Sequence, residues 1–249
     1  MFANQRVAVV IPAYNEEQKI AATVLSIPDF VDDILVIDDS SQDNTGEVAQ
    51  ATASGLANGH RIAVVRHHAN QGVGAAIVTG YRYALQKKSA IVAVMAGDGQ
   101  MDPADLTAIL QPIVDGSADY VKGNRFLHPE IWKAMPPARI VGNVVLSAAT
   151  KVTSGYHHVF DSQCGYTAIS AAALAAIELD GVFPRYGYPN DMLSRLHVAR
   201  MRVVGVPVRP VYGPHWRSGI NLTTAFHPIP WVLLRSWGNR IAAEARRAL

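Results

Sequence analysis

The stretch "IVAVMAGDGQMDP", residues 91–103, decides the fold. Ile91, Val92, Ala93, Val94 and Met95 form a short continuous apolar run that ends abruptly in Gly97, Asp98, Gly99, Gln100 and Asp102. A strand that is apolar on both faces is buried on both faces, which marks a parallel sheet lying between helical layers. Three upstream runs share this character: "RVAVVIP" (6–12), "DILVIDD" (33–39) and "RIAVVRH" (61–67). Helical stretches separate them, from about Glu16 to Ser26, over "TGEVAQATAS" (45–54) and over "GVGAAIVTGYRYALQ" (72–86), the last entered through glycines. The alternation predicts an α/β fold with a mostly parallel central sheet flanked by helices. Ligands of such sheets sit at the carboxyl ends of the strands. Tyr14-Asn15-Glu16, Asp38-Asp39-Ser40 and Asp98-Gly99-Gln100 collect there, so one site built from three loops is expected.

After residue 120 the rhythm loosens. "ADYVKGNRF" (118–126) reads as another strand, and "RIVGNVVLSAATKVTSG" (139–155) as a helix with Ile140, Val141, Val144, Val145, Ala148, Ala149 and Val152 on one stripe. The chain ends in "FHPIPWVLLRSWGNRIAAEARRAL" (226–249), where Trp231, Leu233, Leu234, Trp237 and Ile241 are mixed with arginines. Tryptophan and arginine mixed this way suit an interfacial helix on a membrane surface. Packing of the first helix on the sheet, and a homo-oligomer contact for the second, are the alternatives. We read residues 1–249 as one domain in three parts, 1–120, 121–212, and 213–249 with its basic C-terminal helix.

A content of 49% apolar and 17% charged residues in 249 fits a globular chain with a substantial core. The single cysteine, Cys164, excludes an intramolecular disulfide and fits a reducing compartment. No uninterrupted apolar stretch reaches about 18 residues, so no transmembrane span is expected. The first apolar run is cut by Pro12, so no signal peptide is expected either. The expected location is the cytoplasm, with a peripheral position on the cytoplasmic face of a membrane. The net charge of +2 hides an asymmetry: residues 1–120 carry 14 acids and 7 bases, whereas residues 185–249 carry 10 arginines against Asp191 and Glu244. A basic C-terminal third points to an anionic partner, or else to a merely solvated face. The arginines lie beside apolar helices without the aromatic strand motif of an RNA-binding sheet, so nucleic acid is not expected.

Asp98, with the amide oxygen of Gln100 two residues on, suits a hard divalent cation such as Mg²⁺ or Mn²⁺ on a nucleoside diphosphate. Helix capping is the alternative for this stretch, and Asp102 before Pro103 has N-cap and N1 chemistry. "VVIPAYNEE", "ILVIDDSSQDNT", "NQGVGAAIVTGYRYA", "GDGQMDP" and "GNRF" occur in the order and spacing of family-2 glycosyltransferases. Together with "DSQCGYTAIS" (161–170), the chain most resembles the dolichyl-phosphate mannose synthase and polyprenyl-phosphate glycosyltransferase branch.

That resemblance implies a GT-A fold and an inverting, metal-dependent transfer of a hexose from a nucleoside-diphosphate sugar, of the GDP-mannose or UDP-glucose type, to a polyprenyl phosphate. It implies that Pro12, Ala13, Tyr14 and Glu16 frame the nucleotide, that Asp39 contacts base or ribose, and that Asp98 and Gln100 bind the metal. The family's Asp-x-Asp has its first acid where this chain has Ala96, so the metal site leans on fewer donors. A phosphate monoester is already an anion near neutral pH and needs positive charge rather than a base. Arg125 and Arg139 fit that need, with Asn143 one helical turn after Arg139. A hydroxyl acceptor would need a base. Asp191 in "RYGYPNDML" is the first candidate ahead of Asp161 and Glu178, with helix capping its alternative. Asp161 is expected near the transferred sugar. Arg217 in "GPHWRSGIN" (213–221) resembles the residue of a closing segment that stabilises the leaving diphosphate. His67, His68 and His215 lack metal-ligand spacing and are set aside. A non-catalytic nucleotide-sugar-binding protein is the third reading, which Ala96 makes conceivable.

Overall fold

A computed structural model describes residues 1–212 and 228–248. Strands β1 (Val7–Ala13), β2 (Asp33–Asp38), β3 (Ile62–Arg66) and β4 (Ile91–Val94) form the parallel half of one sheet. Every residue of β1, β2 and β4 is buried, as continuous apolar runs require. β3 is only partly buried, because it is the sheet edge. Three more strands complete the sheet: β5 (Tyr120–Asn124), β6 (Thr167–Ser170) and β7 (Val203–Pro207), in the order β3-β2-β1-β4-β6-β5-β7. β6 runs antiparallel to both β4 and β5, while β7 is parallel to β5. This reversal is the one departure from the parallel pattern, and it brings the segment before β6 to the same sheet end as the loop after β4.

Side chains alternate across the sheet. Val7, Val9 and Ile11 pack into one core layer with Ile20 and Val24 of α1 (Ile20–Ser26), Ala49 of α2 (Thr45–Ser54) and Ile109 of α4 (Leu106–Val114). Ala8 and Val10 face the other layer, with Ala76, Ile77 and Tyr81 of α3 (Val73–Gln86) and with Met192, Leu193 and Leu196. A Cβ on Gly80 would lie 2.3 Å from Val10 Cγ1, so α3 crosses β1 closely only with glycine there. The helix expected from Glu16 begins at Ile20; residues 16–19 are turns that carry the site loop.

Beyond the sheet, α5 (Ile131–Ala134) and α6 (Pro137–Ser154) precede β6, and α7 (Ala171–Ala176) and α8 (Tyr188–Val198) follow it. The last element is α9 (Ile229–Ala248), which packs on α8 and α6. α6 reverses the usual sense of an amphipathic helix. Its buried residues are Asn143, Ser147, Thr150 and Ser154, while Val141, Val145 and Val152 are 64%, 62% and 61% exposed. The small polar stripe faces inward because Thr150 Oγ1 hydrogen-bonds both Leu146 O and Asn190 Oδ1 of α8. On α9, Trp231, Leu234, Trp237 and Ile241 are exposed as well. Of the two readings of the 139–155 helix, the alternative in which its apolar stripe packs on the sheet does not hold: the stripe faces outward.

Candidate active site

The carboxyl ends of β1, β2, β4 and β5 open into a cavity of about 500 Å³, closed by segments 163–167, 185–189 and 208–212. Its floor is stitched from loop to loop. Asn15 adopts a left-handed backbone (φ 57°), its N–H donates to Ser41 Oγ, and its Oδ1 accepts from Gln42 N. Glu16 N donates to Thr45 Oγ1 at 2.8 Å. Gly97 N donates to Pro12 O and Thr23 Oγ1 to Gly97 O, which ties the loop after β4 to β1 and α1. Pro12, Ala13, Tyr14, Glu16, Asp39, Asp98 and Gln100 all line the cavity, so the three loops form one site.

Asp39 is held rigidly. Its carboxylate accepts Gln71 N at 2.9 Å and Gly72 N at 2.7 Å, and it lies 2.7 Å from His67 Nδ1. His67 Nε2 in turn meets Thr79 Oγ1 of α3 at 3.0 Å. His67 was set aside from sequence as a metal ligand, and its place here is as a spacer that orients Asp39. Asp98 Oδ1 accepts Gln100 N at 3.0 Å, across Gly99 with φ +70°. Burial raises the Asp98 carboxyl above the usual carboxylate range, against the opposing pull of the Gln100 amide, Lys19 and Arg139. Burial also raises Glu16, with Asp98's charge adding to it and Lys19, 3.5 Å away, opposing. Asp102, by contrast, accepts Ala104 N ahead of Pro103 as a helix cap.

Among the described residues no group of three or more His, Cys, Asp or Glu could hold a metal by itself. Asp98 makes no hydrogen bond through Oδ2 among those residues, and a neighbouring cation would relieve the cost of its burial. One such carboxylate and the Gln100 amide fit a Mg²⁺-like ion, which takes few protein ligands and completes its shell with phosphate oxygens and water. Ala96 lines the cavity and contributes only its N–H, donated to Met101 Sδ at 3.2 Å.

Arg125 and Arg139 line the cavity together with Tyr212. Arg125 Nη1 donates to Tyr212 Oη at 3.0 Å, and the Arg139 guanidinium lies 5.4 Å from the Tyr212 ring centre. Burial lowers the Arg139 pKa and Arg125's like charge adds to this, while Tyr212 and Asp161 oppose it. For Arg125 burial also acts downward, but the Asp161 ion pair outweighs it and the net shift is upward. Asp161 is fully buried behind Arg125 and accepts Arg125 N, Nε and Nη2 at 2.9, 2.8 and 2.7 Å. It does not line the cavity, so the expectation that it touches the sugar is corrected: it positions Arg125.

Two more expectations are corrected on the same ground. Asp191 is 2% exposed and lies off the cavity lining; Oδ2 accepts Phe183 N and Arg195 Nε, and Ser236 Oγ donates to Oδ1 at 3.4 Å. It locks segment 183–187 and α9 onto α8, with both oxygens engaged inside the protein. Asn143 is buried away from the lining, its Nδ2 3.7 Å from Met135 Sδ. Arg217 and His215 lie outside the described residues. Lining residues that the sequence did not single out are Lys122, Gln163, Arg185, Tyr186 and Tyr212. Of these only Lys122 carries a visible signal, a charge in the middle of the apolar strand "YVKGN".

Similarity to known proteins agrees with this geometry. The chain is 31% identical over 235 residues to a UDP-N-acetylglucosamine–dolichyl-phosphate N-acetylglucosaminyltransferase of Methanococcus voltae, covering 90% of this chain and 93% of that one. It is 31% identical to an undecaprenyl-phosphate mannosyltransferase of Micrococcus luteus (82% of each chain). It is 28% identical to a polyprenol monophosphomannose synthase of Mycolicibacterium smegmatis (98% and 91%). Among solved structures, glucosyl-3-phosphoglycerate synthase of Mycobacterium tuberculosis, crystallised with Mn²⁺, UDP and phosphoglyceric acid, shares the fold with a TM-score of 0.71 at 20% identity, over 95% of this chain and 80% of that one. Residues 8–177 match the model of glycosyl transferase family 2, and the chain belongs to that family.

Proposed function

We propose that this glycosyltransferase moves a hexose from a nucleoside-diphosphate sugar to a polyprenyl phosphate at a membrane surface, inverting the anomeric carbon. The observation that carries the reading is the pair Arg125 and Arg139 around Tyr212, in one cavity with Glu16 and Asp98. Arg139 stands in the first turn of α6, where the helix dipole favours an anion such as an incoming phosphate. The three relatives are named for transfer onto dolichyl, undecaprenyl and polyprenol carriers, which supports the same acceptor class here.

The chemistry follows from the residues. A phosphate monoester with a second pKa of about 6 arrives already ionised, so no side chain has to remove a proton. Its oxygen bonds to the anomeric carbon as the bond from that carbon to the diphosphate breaks, and the nucleoside diphosphate leaves with the electron pair. Arg125 and Arg139 hold the nucleophile in line, and Asp161 fixes the direction of Arg125. Asp39 and the Pro12–Glu16 loop seat the nucleoside. Asp98 and Gln100 would hold Mg²⁺ or Mn²⁺, which when bound neutralises charge on the diphosphate. Arg217 is our candidate for assisting the leaving group. A hydroxyl acceptor is disfavoured, because Asp191 has both oxygens engaged inside the protein.

The outward valines of α6 and the exposed Trp231, Leu234 and Trp237 of α9 fit the same reading, since an apolar face mixed with arginines suits an interfacial helix. No helix of the described residues is long and apolar enough to cross a membrane; the contact in this account is peripheral, on the cytoplasmic face. Incubation with a panel of labelled nucleotide sugars, polyprenyl phosphate and Mn²⁺ tests the proposal. Organic-extractable label from at least one donor is expected. No label from any donor, with nucleotide binding retained, would leave a binding protein instead.

A further inference from the structure

Lys122 lies on β5 with its side chain fully buried, yet it lines the active-site cavity. Its Nζ donates to Cys164 O at 2.5 Å, the one hydrogen bond it makes among the described residues. An ammonium has three N–H donors, so two are left without an acceptor. Nor does a carboxylate pair with it: Asp161, whose charge reaches it, is already bound by Arg125 through three hydrogen bonds. Burial lowers the Lys122 pKa, and Arg125's like charge adds to this, while Cys164 and Asp161 oppose it. Burying a cation without a counter-charge is unfavourable, and an anion arriving with a ligand at the cavity wall would offset that cost.

Thr167 pairs with Lys122 in the β5–β6 register and lines the cavity, with its hydroxyl next to those of Tyr81 and Tyr120. Lys122, Arg125 and Arg139 share this part of the wall, with Asp161 behind Arg125 and the charge of Asp98 reaching Arg139, and such a cluster of cations suits a dianionic phosphate.

We propose that Lys122 is a third cationic ligand, beside Arg125 and Arg139, of the phosphate oxyanion bound in this cavity, with Thr167 hydrogen-bonding the same group. The inference rests on the phosphate-acceptor reading above and adds a residue to it. The same oxygen chemistry is offered by the acceptor monoester and by the donor diphosphate, and the experiment separates them.

The chain has six lysines, so [13Cε]-lysine labelling gives a short spectrum. The Lys122 resonance is assigned by its loss in Lys122→Met, or in the charge-preserving Lys122→Arg should the first variant not fold. Titrations use inorganic phosphate, a short-chain prenyl phosphate, and UDP or GDP with Mg²⁺. We expect a saturable shift of the Lys122 signal with both monophosphates. Affinity for the prenyl phosphate should weaken about 10- to 100-fold in Lys122→Met, as loss of a charge-assisted hydrogen bond implies, and recover in part in Lys122→Arg. A shift with the nucleoside diphosphate alone keeps the oxyanion role and assigns it to the donor. No shift with any of these ligands overturns the proposal. Response to inorganic phosphate without lipid-linked product sinks the lipid reading and leaves the subsite. Lipid-linked product with an unresponsive Lys122 does the reverse.

Discussion

Removing Arg125 does two things at once, and the structure allows them to be separated. Its guanidinium is bonded to the fully buried Asp161 by Nε and Nη2, and its backbone N–H donates to the same carboxylate. Arg125→Leu leaves that carboxylate buried without its cation, which costs about 3–5 kcal/mol. For a chain of this length each kcal/mol lowers Tm by about 2–4 °C, so a fall of roughly 6–20 °C is expected. Combining Arg125→Leu with Asp161→Asn removes the stranded charge while keeping an oxygen for the residue 125 N–H. Most of the stability should return. Transfer should not, because the acceptor phosphate has still lost a charge-assisted contact worth roughly 10- to 100-fold. Urea or thermal unfolding reads the first effect, and KM for polyprenyl phosphate reads the second. If the double variant regains transfer together with stability, Arg125 is only a structural partner of Asp161 and the acceptor assignment fails.

Asp98→Asn should lose metal-dependent binding of nucleoside diphosphate and about 100-fold or more in transfer, as titration calorimetry with and without Mg²⁺ would show. The same variant should be more stable than the parent at neutral pH. Burial raises the Asp98 pKa in the folded state, so its ionised form opposes folding above that pKa, and the advantage of Asn fades as pH falls below the unfolded value. An Asp98→Asn protein that is less stable at pH 7 would contradict this electrostatic account. On α9, Leu234→Glu with Trp237→Glu should abolish flotation with anionic liposomes, since inserting each large apolar side chain contributes about 1.5–3 kcal/mol. Unchanged flotation would remove α9 from the docking face.

The sheet and its loop cluster were legible because their signals are local. Continuous apolar runs ending in small and acidic residues put Tyr14, Asp39 and Asp98 at the carboxyl end of the parallel strands, and all three line the cavity. What escaped depends on side-chain partners that only the folded chain reveals. Asp191 looks like a base until Arg195, Phe183 N and Ser236 are seen to occupy its oxygens. Asp161 looks like a sugar ligand until Arg125, 36 residues away, folds over it. The periodicity of α6 was readable, but not its orientation. Apolar spacing tells which residues share a face, whereas Thr150 meeting Asn190 turns the polar face inward. β6 was missed as an antiparallel insertion because four residues, "TAIS", carry too little pattern. The question raised by Ala96 now has a location: it lines the cavity near Asp98, where the described residues offer no group of three or more metal-ligating side chains, so the ligand's own phosphates have to complete any cation site.

The most direct measurement compares two acceptors with the same hydrocarbon tail, polyprenyl phosphate and free polyprenol, at a saturating concentration of whichever donor is active. The account predicts transfer to the phosphate and, with no side chain placed to deprotonate a hydroxyl, no measurable transfer to the alcohol. Equal transfer to both, or transfer to the alcohol alone, would contradict it.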